Sequence, residues 1–211
     1  MRAIETVSLD DLCADKDWWR IYDYSFPATE REPPNVIVES LRRGVGIALR
    51  ARREGVTFGL ATIHILNKPP AVFLVYLAVA QGDRSQGTGG ELLRSAWESG
   101  ADYLSRRGSK ALGLIWEVDS PELDASDSEA RRRRVAFFQR HGGQMLARRY
   151  LQPPVNGTTA IPMSLMFTPA EDEALPTPEV VESLVRAMYF EKYAAINGID
   201  TAVLEDLLSR R

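Results

Sequence analysis

The residues VFLVYLAVAQGDRSQGTGGELL, at positions 72–93, decide the fold of this chain. Val72–Val79 is an apolar run rich in β-branched and aromatic residues, which predicts a buried strand. Apolar residues then recur at helical spacing over Leu92–Trp97, so a helix begins directly after the glycines. Gly87, Gly89 and Gly90 carry no side chain, and their N–H groups can therefore approach a ligand closely. These amides, at the positive end of a helix dipole, predict a pyrophosphate site.

Two other phosphate-binding motifs do not fit the glycines of this turn. A P-loop requires lysine and then serine or threonine after its last glycine, whereas Glu91 and Leu92 follow Gly90 here. A dinucleotide-binding fingerprint requires a third glycine at the position that Leu92 occupies. A glycine-rich turn that binds no ligand stays open as the alternative.

The pattern Arg84-x-x-Gly87-x-Gly89 resembles the acyl-CoA signature of the GCN5-related N-acetyltransferases (GNATs). In that family, Gln/Arg-x-x-Gly-x-Gly/Ala lies between the fourth strand and the third helix. The resemblance implies that backbone groups of the strand end and the turn bind acetyl-CoA. It also implies that Arg84 adds positive charge and that two phenylalanines of a later helix line the pantetheine arm. The residues so implied are Leu77, Ala78, Val79, Arg84, Ser85, Gln86, Gly87, Thr88, Gly89, Gly90, Phe137 and Phe138.

The order of predicted elements is β-α-α-β-β-β-α-β-α-β-β, which is the order found in that family. It implies a mixed α/β GNAT acyltransferase fold with two splayed central strands, over residues 1–168. The first helix is predicted from Ser8 to Tyr24, and a late strand over Gln144–Leu151.

Residues 169–211 are predicted to form a linker and a C-terminal helical extension outside the resemblance. Pro178 stands at the first position of a helix whose apolar face includes Val181, Leu184 and Val185. Such a face requires a partner that shields it from water. We expect a homodimer through these helices, with packing on the chain's own domain as the alternative.

Composition argues against several classes of function. The 211 residues carry 26 Lys and Arg against 29 Asp and Glu, a net charge of −3, which does not favour a nucleic-acid partner. The single cysteine, Cys13, and two distant histidines predict no metal site. We expect Cys13 to be a small buried residue of the first helix. No apolar leader or membrane-spanning stretch is recognised, so a cytoplasmic protein without a membrane partner is expected.

The helix after the fifth strand carries Phe137 and Phe138, with Gly142 four residues further on. The corresponding GNAT pattern is Phe/Leu-Tyr-x-x-x-Gly, and its tyrosine is often the acid that protonates the departing thiolate. Phe138 occupies that tyrosine position, and a phenyl ring has no proton to donate. Tyr150, on the next strand, is the nearest replacement. The alternative is that Tyr150 is a strand tyrosine with a packed ring.

Glu117 is the predicted general base. A free amine with a pKa of about 10 is mostly protonated at neutral pH, so a carboxylate must remove its proton before it attacks. Glu117 lies in an apolar strand at the level where the strands should part. A charged residue there is costly unless it is paired or functional. The alternative is an ion pair between Glu117 and one residue of Arg131–Arg134.

The segment between the first two helices is where the resemblance places the acceptor pocket. Phe26 is expected to form a wall of that pocket, and Glu30 to pair with a cationic acceptor. The alternative is a proline-ordered loop with a solvated Glu30. The resemblance also implies that a backbone amide near Ala78 or Val79, exposed by a bulge, holds the oxyanion.

These expectations describe an N-acetyltransferase that moves an acetyl group from acetyl-CoA to a primary amine by direct attack in a ternary complex. The amine belongs to a small molecule or to a protein. Two other classes stay open, namely a CoA-binding module of the same fold without transferase activity and a structural protein that keeps only the fold.

Overall fold

The computed structural model describes residues 2–119, 128–171 and 173–210. The strands are β1 (Arg2–Val7), β2 (Gly46–Arg53), β3 (Val56–Asn67), β4 (Pro70–Val79), β5 (Gly113–Asp119), β6 (Gln144–Met145), β7 (Tyr150–Gln152) and β8 (Ile161–Pro169). The helices are α1 (Leu9–Ala14), α2 (Lys16–Ser25), α3 (Pro34–Arg42), α4 (Thr88–Arg106), α5 (Ser128–Arg140), α6 (Pro178–Ala187) and α7 (Thr201–Ser209). A short 3₁₀ helix covers Gln81–Asp83, and a π-helical segment, Met188–Ala194, continues α6.

One mixed sheet holds the described strands in the order β1-β2-β3-β4-β5-β8-β6, with β7 also paired to β8. The β4–β5 pair is parallel, and the other pairs are antiparallel. A parallel pair needs a crossover connection, which α4 provides. Leu92 and Ala96 of α4 pack on one face of the sheet, and Trp18 and Tyr22 of α2 pack in a separate cluster.

The two central strands pair only at one end. The pairing joins Val72–Leu74 of β4 to Leu114–Trp116 of β5. Val75 has no partner in β3, because Ile63 pairs with Leu74 and the preceding Thr62 pairs with Tyr76. Such a bulge bends a strand and increases its twist. β4 therefore leaves β5 directly after the bulge, which lies earlier in the strand than the predicted position near Ala78 or Val79.

Two predicted elements are divided in the structure. The predicted first helix is α1 followed by α2, because the Asp15 side chain accepts a hydrogen bond from the Trp18 N–H at 2.9 Å and starts a new helix. The predicted strand over 144–151 is divided between β6 and β7, which both pair with β8. Cys13 is exposed rather than buried, since Leu12 takes the inward position of the short α1.

The C-terminal extension packs on its own chain. Leu184, Val185 and Tyr189 are buried in one cluster with Phe73 of β4 and Ile115 of β5. The apolar face on which we based the homodimer is therefore covered within the same molecule. The apolar face of the extension thus packs on the chain's own domain, which was the alternative to the homodimer. In the ranges that the structure describes, no helix has the length and apolar character needed to cross a membrane.

Candidate active site

A cavity of about 710 Å³ occupies the gap between β4 and β5. It extends from the glycine turn before α4, past the separated strand ends, to the loop between α2 and α3. Its lining residues are Ser25, Phe26, Pro27, Glu30, Leu74, Val75, Tyr76, Leu77, Ala78, Val79, Asp83, Arg84, Ser85, Gly87, Gly89, Gly90, Trp116, Glu117, Val118, Asp119, Ala130, Arg133, Arg134, Phe137, Phe138, Arg140, His141, Gln152 and Met163.

The glycine turn presents free amides at one end of the cavity. Gly87 precedes α4 with φ +81°, a left-handed conformation that glycine adopts without strain. The N–H of Glu91 bonds to the Gly87 carbonyl at 3.1 Å. The N–H groups of Thr88, Gly89 and Gly90 come before that bond, so the helix itself offers them no acceptor. This end of the cavity is therefore suited to an anion.

Two arginines fix the shape of the turn. Arg2 of β1 donates to the Gln86 carbonyl at 2.9 Å and to the Thr88 hydroxyl at 3.2 Å. Arg84 lines the cavity and donates from Nε to the Val79 carbonyl at 3.1 Å. Two of the predicted coenzyme-binding residues, Gln86 and Thr88, are not among the lining residues given above. Both accept the hydrogen bonds that Arg2 donates.

Glycine at positions 89 and 90 keeps this end of the cavity open. A Cβ on Gly89 would lie 3.2 Å from the Phe137 ring and 4.0 Å from Val79 Cγ2. A Cβ on Gly90 would lie 2.4 Å from the His141 ring. Phe137, Val79 and His141 all line the cavity. A side chain at either position would therefore fill the space that a ligand would need.

The separated end of β4 directs backbone groups into the gap. The Ala80 N–H bonds to the Phe58 carbonyl of β3 at 2.8 Å. Backbone N–H groups of a strand alternate in direction, so those of Val79 and Leu77 point away from β3, toward the gap. The predicted oxyanion position at Val79 is compatible with this alternation, whereas the N–H of Ala78 points to β3.

Two phenylalanines of α5 form the wall opposite β4. The Phe138 ring is only 6% exposed and packs on Trp116, with ring centroids 4.8 Å apart. Phe137 packs edge-on against Phe138 at 5.1 Å. Both rings line the cavity. A phenyl ring without a hydroxyl therefore stands where the GNAT pattern has its tyrosine.

Three side chains donate hydrogen bonds to the Glu117 carboxylate at the other end of the cavity. Gln152 donates to Oε2 at 2.9 Å, and Tyr150 donates to Oε1. The Tyr193 hydroxyl contacts both oxygens, at 2.8 Å and 2.9 Å. Burial raises the pKa of Glu117, and these hydrogen bonds oppose that rise. Glu117 thus lies at the cavity wall with its carboxyl group held in a fixed orientation.

In the part of the chain that the structure describes, Arg134 pairs with Asp119 and Arg133 pairs with Glu129, so these two arginines have partners other than Glu117. The predicted acid Tyr150 is 3% exposed and is not among the described lining residues. Burial and the neighbouring Glu117 raise the pKa of Tyr150 well above its usual value. Its role as proton donor stays a prediction, and its visible contact is with Glu117.

Glu30 and Phe26 both line the cavity, at the loop between α2 and α3, and their role toward an acceptor stays a prediction. Two tyrosines fix this loop: Tyr76 donates to the Glu30 carbonyl at 2.9 Å, and Tyr22 donates to the Glu32 carbonyl at 2.9 Å. Burial first, and then the charge of Asp119, raise the pKa of Glu30 to about 7. The Glu30 side chain is therefore not the freely solvated carboxylate of the alternative interpretation.

Sequence reasoning missed Gln152 and Tyr193. Gln152 is 7% exposed, and its Oε1 is a buried acceptor without a hydrogen-bond partner among the described atoms. Tyr193 comes from the π-helical segment, whose apolar pattern was interpreted only as a packing face. A tyrosine on an apolar face is the sequence signal that could have indicated Tyr193, because a buried hydroxyl needs a polar partner. In the described ranges, no three His, Cys, Asp or Glu side chains group closely enough to hold a metal ion.

No protein-family model matches the chain, and no curated protein matches it either. Among solved structures, a GNAT-family protein from Bacteroides thetaiotaomicron, described as a candidate acetyltransferase, superposes with a TM-score of 0.69 at 20% identity. The match covers 94% of this chain and 99% of that one. The chain has the GNAT fold. The mixed α/β architecture with splayed central strands is therefore confirmed.

Other solved structures share this GNAT fold at lower similarity. NAA60 of Arabidopsis thaliana, in complex with acetyl-CoA, has a TM-score of 0.59 at 14% identity, covering 81% of this chain and 99% of that one. An aminoglycoside 6'-N-acetyltransferase complexed with coenzyme A has a TM-score of 0.56 at 15% identity, covering 83% and 99%. At these identities the likeness concerns the GNAT fold alone.

Proposed function

We propose that this GNAT-fold protein is an N-acetyltransferase that transfers the acetyl group of acetyl-CoA to a primary amine. One observation carries the proposal: a single cavity joins the free amides of the glycine turn to the carboxylates of Glu30 and Glu117. Structures of the same fold that are described with acetyl-CoA or coenzyme A support the choice of donor.

Acetyl-CoA would bind along the length of the cavity. The pyrophosphate would accept hydrogen bonds from the amides of Thr88, Gly89 and Gly90, and Arg84 would contribute positive charge. The pantetheine arm would lie in the gap, between Phe137 and the backbone of Val79. This placement brings the thioester to the level at which β4 and β5 have separated.

The reaction would be a direct attack in a ternary complex. The ammonium form of the acceptor loses a proton to the carboxylate of Glu117, directly or through water. The amine nitrogen then forms a bond to the thioester carbon and gives up its second proton to solvent, while the C–S bond breaks and the coenzyme leaves as a thiolate. An N–H of Val79 or Leu77 would stabilise the oxyanion. A thiol with a pKa of about 8.5 leaves as its thiolate without strong acid assistance. Solvent or Tyr150 would then return a proton to the thiolate.

The acceptor would enter beside Phe26 and Glu30. A carboxylate at the cavity wall favours a cationic amine, whose own proton is then removed for the attack. Small amines and protein amines both carry this chemistry.

A screen of amines against acetyl-CoA, read by thiol release, tests the proposed function. We expect release that depends on an added primary amine and that falls in Glu117→Gln, while acetyl-CoA affinity in that variant is retained. Glu98→Gln, an exposed position on α4, is the matched control and should keep the activity. Absence of amine-dependent release across the screen would contradict the proposal.

The phenyl ring of Phe138 favours one second candidate, a CoA-binding module without transferase activity. In that case acetyl-CoA would raise the melting temperature of the protein. No amine would then cause thiol release. If acetyl-CoA caused no change in melting temperature, both functions would be contradicted, and a structural protein would be favoured.

A further inference from the structure

The C-terminal extension contacts Glu117, a residue of the cavity wall, through Tyr193. This tyrosine is 1% exposed, and its ring packs between Phe73, at 6.2 Å, and Tyr189, at 6.3 Å. Its hydroxyl contacts both oxygens of the Glu117 carboxylate, at 2.8 Å and 2.9 Å. The two residues are 76 positions apart in the chain. The ring packing therefore fixes where the hydroxyl stands, and the hydroxyl in turn limits rotation of the carboxylate.

The same segment is anchored to the acceptor loop, which is the connection between α2 and α3, residues 26–33. Lys192, 2% exposed, pairs with Glu32 and donates to the Asn197 side chain at 2.8 Å. Asn197 donates to the Glu32 carboxylate at 2.8 Å. A buried ion pair is costly to break from one side. Lys192, the residue before Tyr193, therefore fixes the backbone next to that tyrosine. The π-helical segment cannot shift relative to the acceptor loop without loss of these contacts.

We propose that Tyr193 is a positioning residue that orients the Glu117 carboxylate and favours its ionised form, so that the C-terminal extension is part of the active site. The inference rests on the proposed role of Glu117 as general base. A hydrogen bond donated to a carboxylate favours the charged form. Without that donor, Glu117 would take up a proton at higher pH and would be less often available as a base.

Several titratable groups besides Tyr193 face Glu117 and could also change its pKa. Tyr150 comes from β7, Tyr193 and Tyr189 from the C-terminal extension, and Glu32 and Glu30 from the acceptor loop. Glu32 is paired with Lys192, and its charge adds to the rise in the pKa of Glu117. Tyr189 donates its hydroxyl to the Leu151 carbonyl rather than to Glu117. Tyr189 is therefore a matched control, since it is a buried tyrosine of the same segment with a different acceptor.

The first test compares Tyr193→Phe with Tyr189→Phe in the full chain. We expect Tyr193→Phe to move the rise of kcat/KM with pH upward by about one pH unit, because one charge-assisted donor is lost. The KM for acetyl-CoA should stay unchanged, and Tyr189→Phe should leave the midpoint in place. Equal midpoints in all three proteins, or equal shifts in both variants, would overturn the proposal.

A second measurement does not depend on activity. Burial raises the pKa of Glu117 in the folded state above its value in the unfolded chain. Between these two pKa values the folded state holds a proton that the unfolded state has lost, so stability falls as pH rises from the lower value to the higher one. We expect urea unfolding to show that this fall reaches higher pH in Tyr193→Phe. In Glu117→Gln the part of the fall that comes from Glu117 should be absent, and the part that comes from Glu30, whose pKa is also raised, should remain. An unchanged range in Tyr193→Phe would overturn the proposal. If no amine is acetylated but the range moves, the proposed function fails while the contact stands.

Discussion

Phe138 raises a question about the proton that the leaving thiolate needs. Its ring lines the cavity but carries no hydroxyl, and it packs on Trp116. We expect Phe138→Tyr to raise kcat about tenfold with little change in the KM for acetyl-CoA. General acids contribute about 10²–10⁴-fold, and we expect less than the lower end of that range because a thiolate leaves without strong acid assistance. Thiol-release kinetics measure it, with Phe137→Tyr as control.

The opposite result for Phe138→Tyr is equally well defined. A hydroxyl placed in apolar packing without a partner would cost about 1–3 kcal/mol of unfolding free energy. A variant that is less stable in urea and no faster would contradict the alignment of Phe138 with the GNAT tyrosine.

Glu30 has a different electrostatic environment from Glu117. Burial raises its pKa to about 7, so it is half-protonated near neutral pH. A carboxyl group binds a cation only when ionised, and amine binding should therefore strengthen as pH rises through about 7. We expect the KM for the amine to fall over that range, and Glu30→Gln to remove most of this dependence. The KM for acetyl-CoA at each pH is the internal control.

Retention of the full pH dependence in Glu30→Gln would contradict this assignment of Glu30. Glu98→Gln, on the exposed face of α4, should behave as the unmodified protein does.

At the scale of elements, the glycine turn and α4 form the part of the site most open to a direct test. We expect Gly89→Glu to weaken acetyl-CoA binding at least 100-fold. A side chain there would enter the space between Phe137 and Val79, and its charge would oppose the phosphates at the helix start. Titration calorimetry measures the affinity.

Gly82→Glu is the matched control for this charge. Gly82 lies in the 3₁₀ helix just before the turn, and a Cβ there would meet no atom within 4 Å. It should therefore keep most of the affinity. Equal affinity of Gly89→Glu and the unmodified protein would show that the coenzyme site lies elsewhere.

The strand, turn and helix over 72–93 could be predicted because their signals are local: an apolar run, glycines and a helical period. The bulge at Val75 could not, since an apolar run has the same pattern with or without an extra residue. Yet the bulge decides which side chains face α4: Leu74 and Leu77 lie in the α4 cluster, while Tyr76 packs with α2.

The side chains that donate hydrogen bonds to Glu117 could not be predicted from the sequence either, because they are distant from it in the chain. They come from residues 33, 35 and 76 positions away, on a three-residue strand and on the C-terminal extension. Periodicity reports which face of an element is buried, but not which buried hydroxyl meets which carboxylate. Glu117 itself was predictable, because a lone acid in an apolar strand is conspicuous.

At the scale of the whole molecule, the C-terminal extension completes the hydrophobic core. Leu184, Met188, Tyr189 and Leu204 are each at most 1% exposed and pack in one cluster with Phe73. Each such side chain contributes about 1.5–3 kcal/mol, and a domain has only about 5–15 kcal/mol of net stability. We expect a chain ending at Pro169 to lose its cooperative thermal transition.

A chain ending at Ser209 should keep the transition, since Arg210 is exposed and pairs with Asp206 of α7. A chain ending at Pro169 with an unchanged melting temperature would contradict the role of the extension in the core. Light scattering on the full chain tests the homodimer separately.

The Lys192–Glu32 pair joins positions 160 residues apart, and it has a consequence for the timing of synthesis. A polypeptide emerging from the ribosome contains the glycine turn, Glu30 and Glu117 well before it contains Tyr193. Until Lys192 and Tyr193 have left the exit tunnel, Glu32 lacks its cation and Glu117 lacks one of its donors. The nascent protein therefore completes the side-chain contacts of Glu32 and Glu117 only after the C-terminal extension has been synthesised.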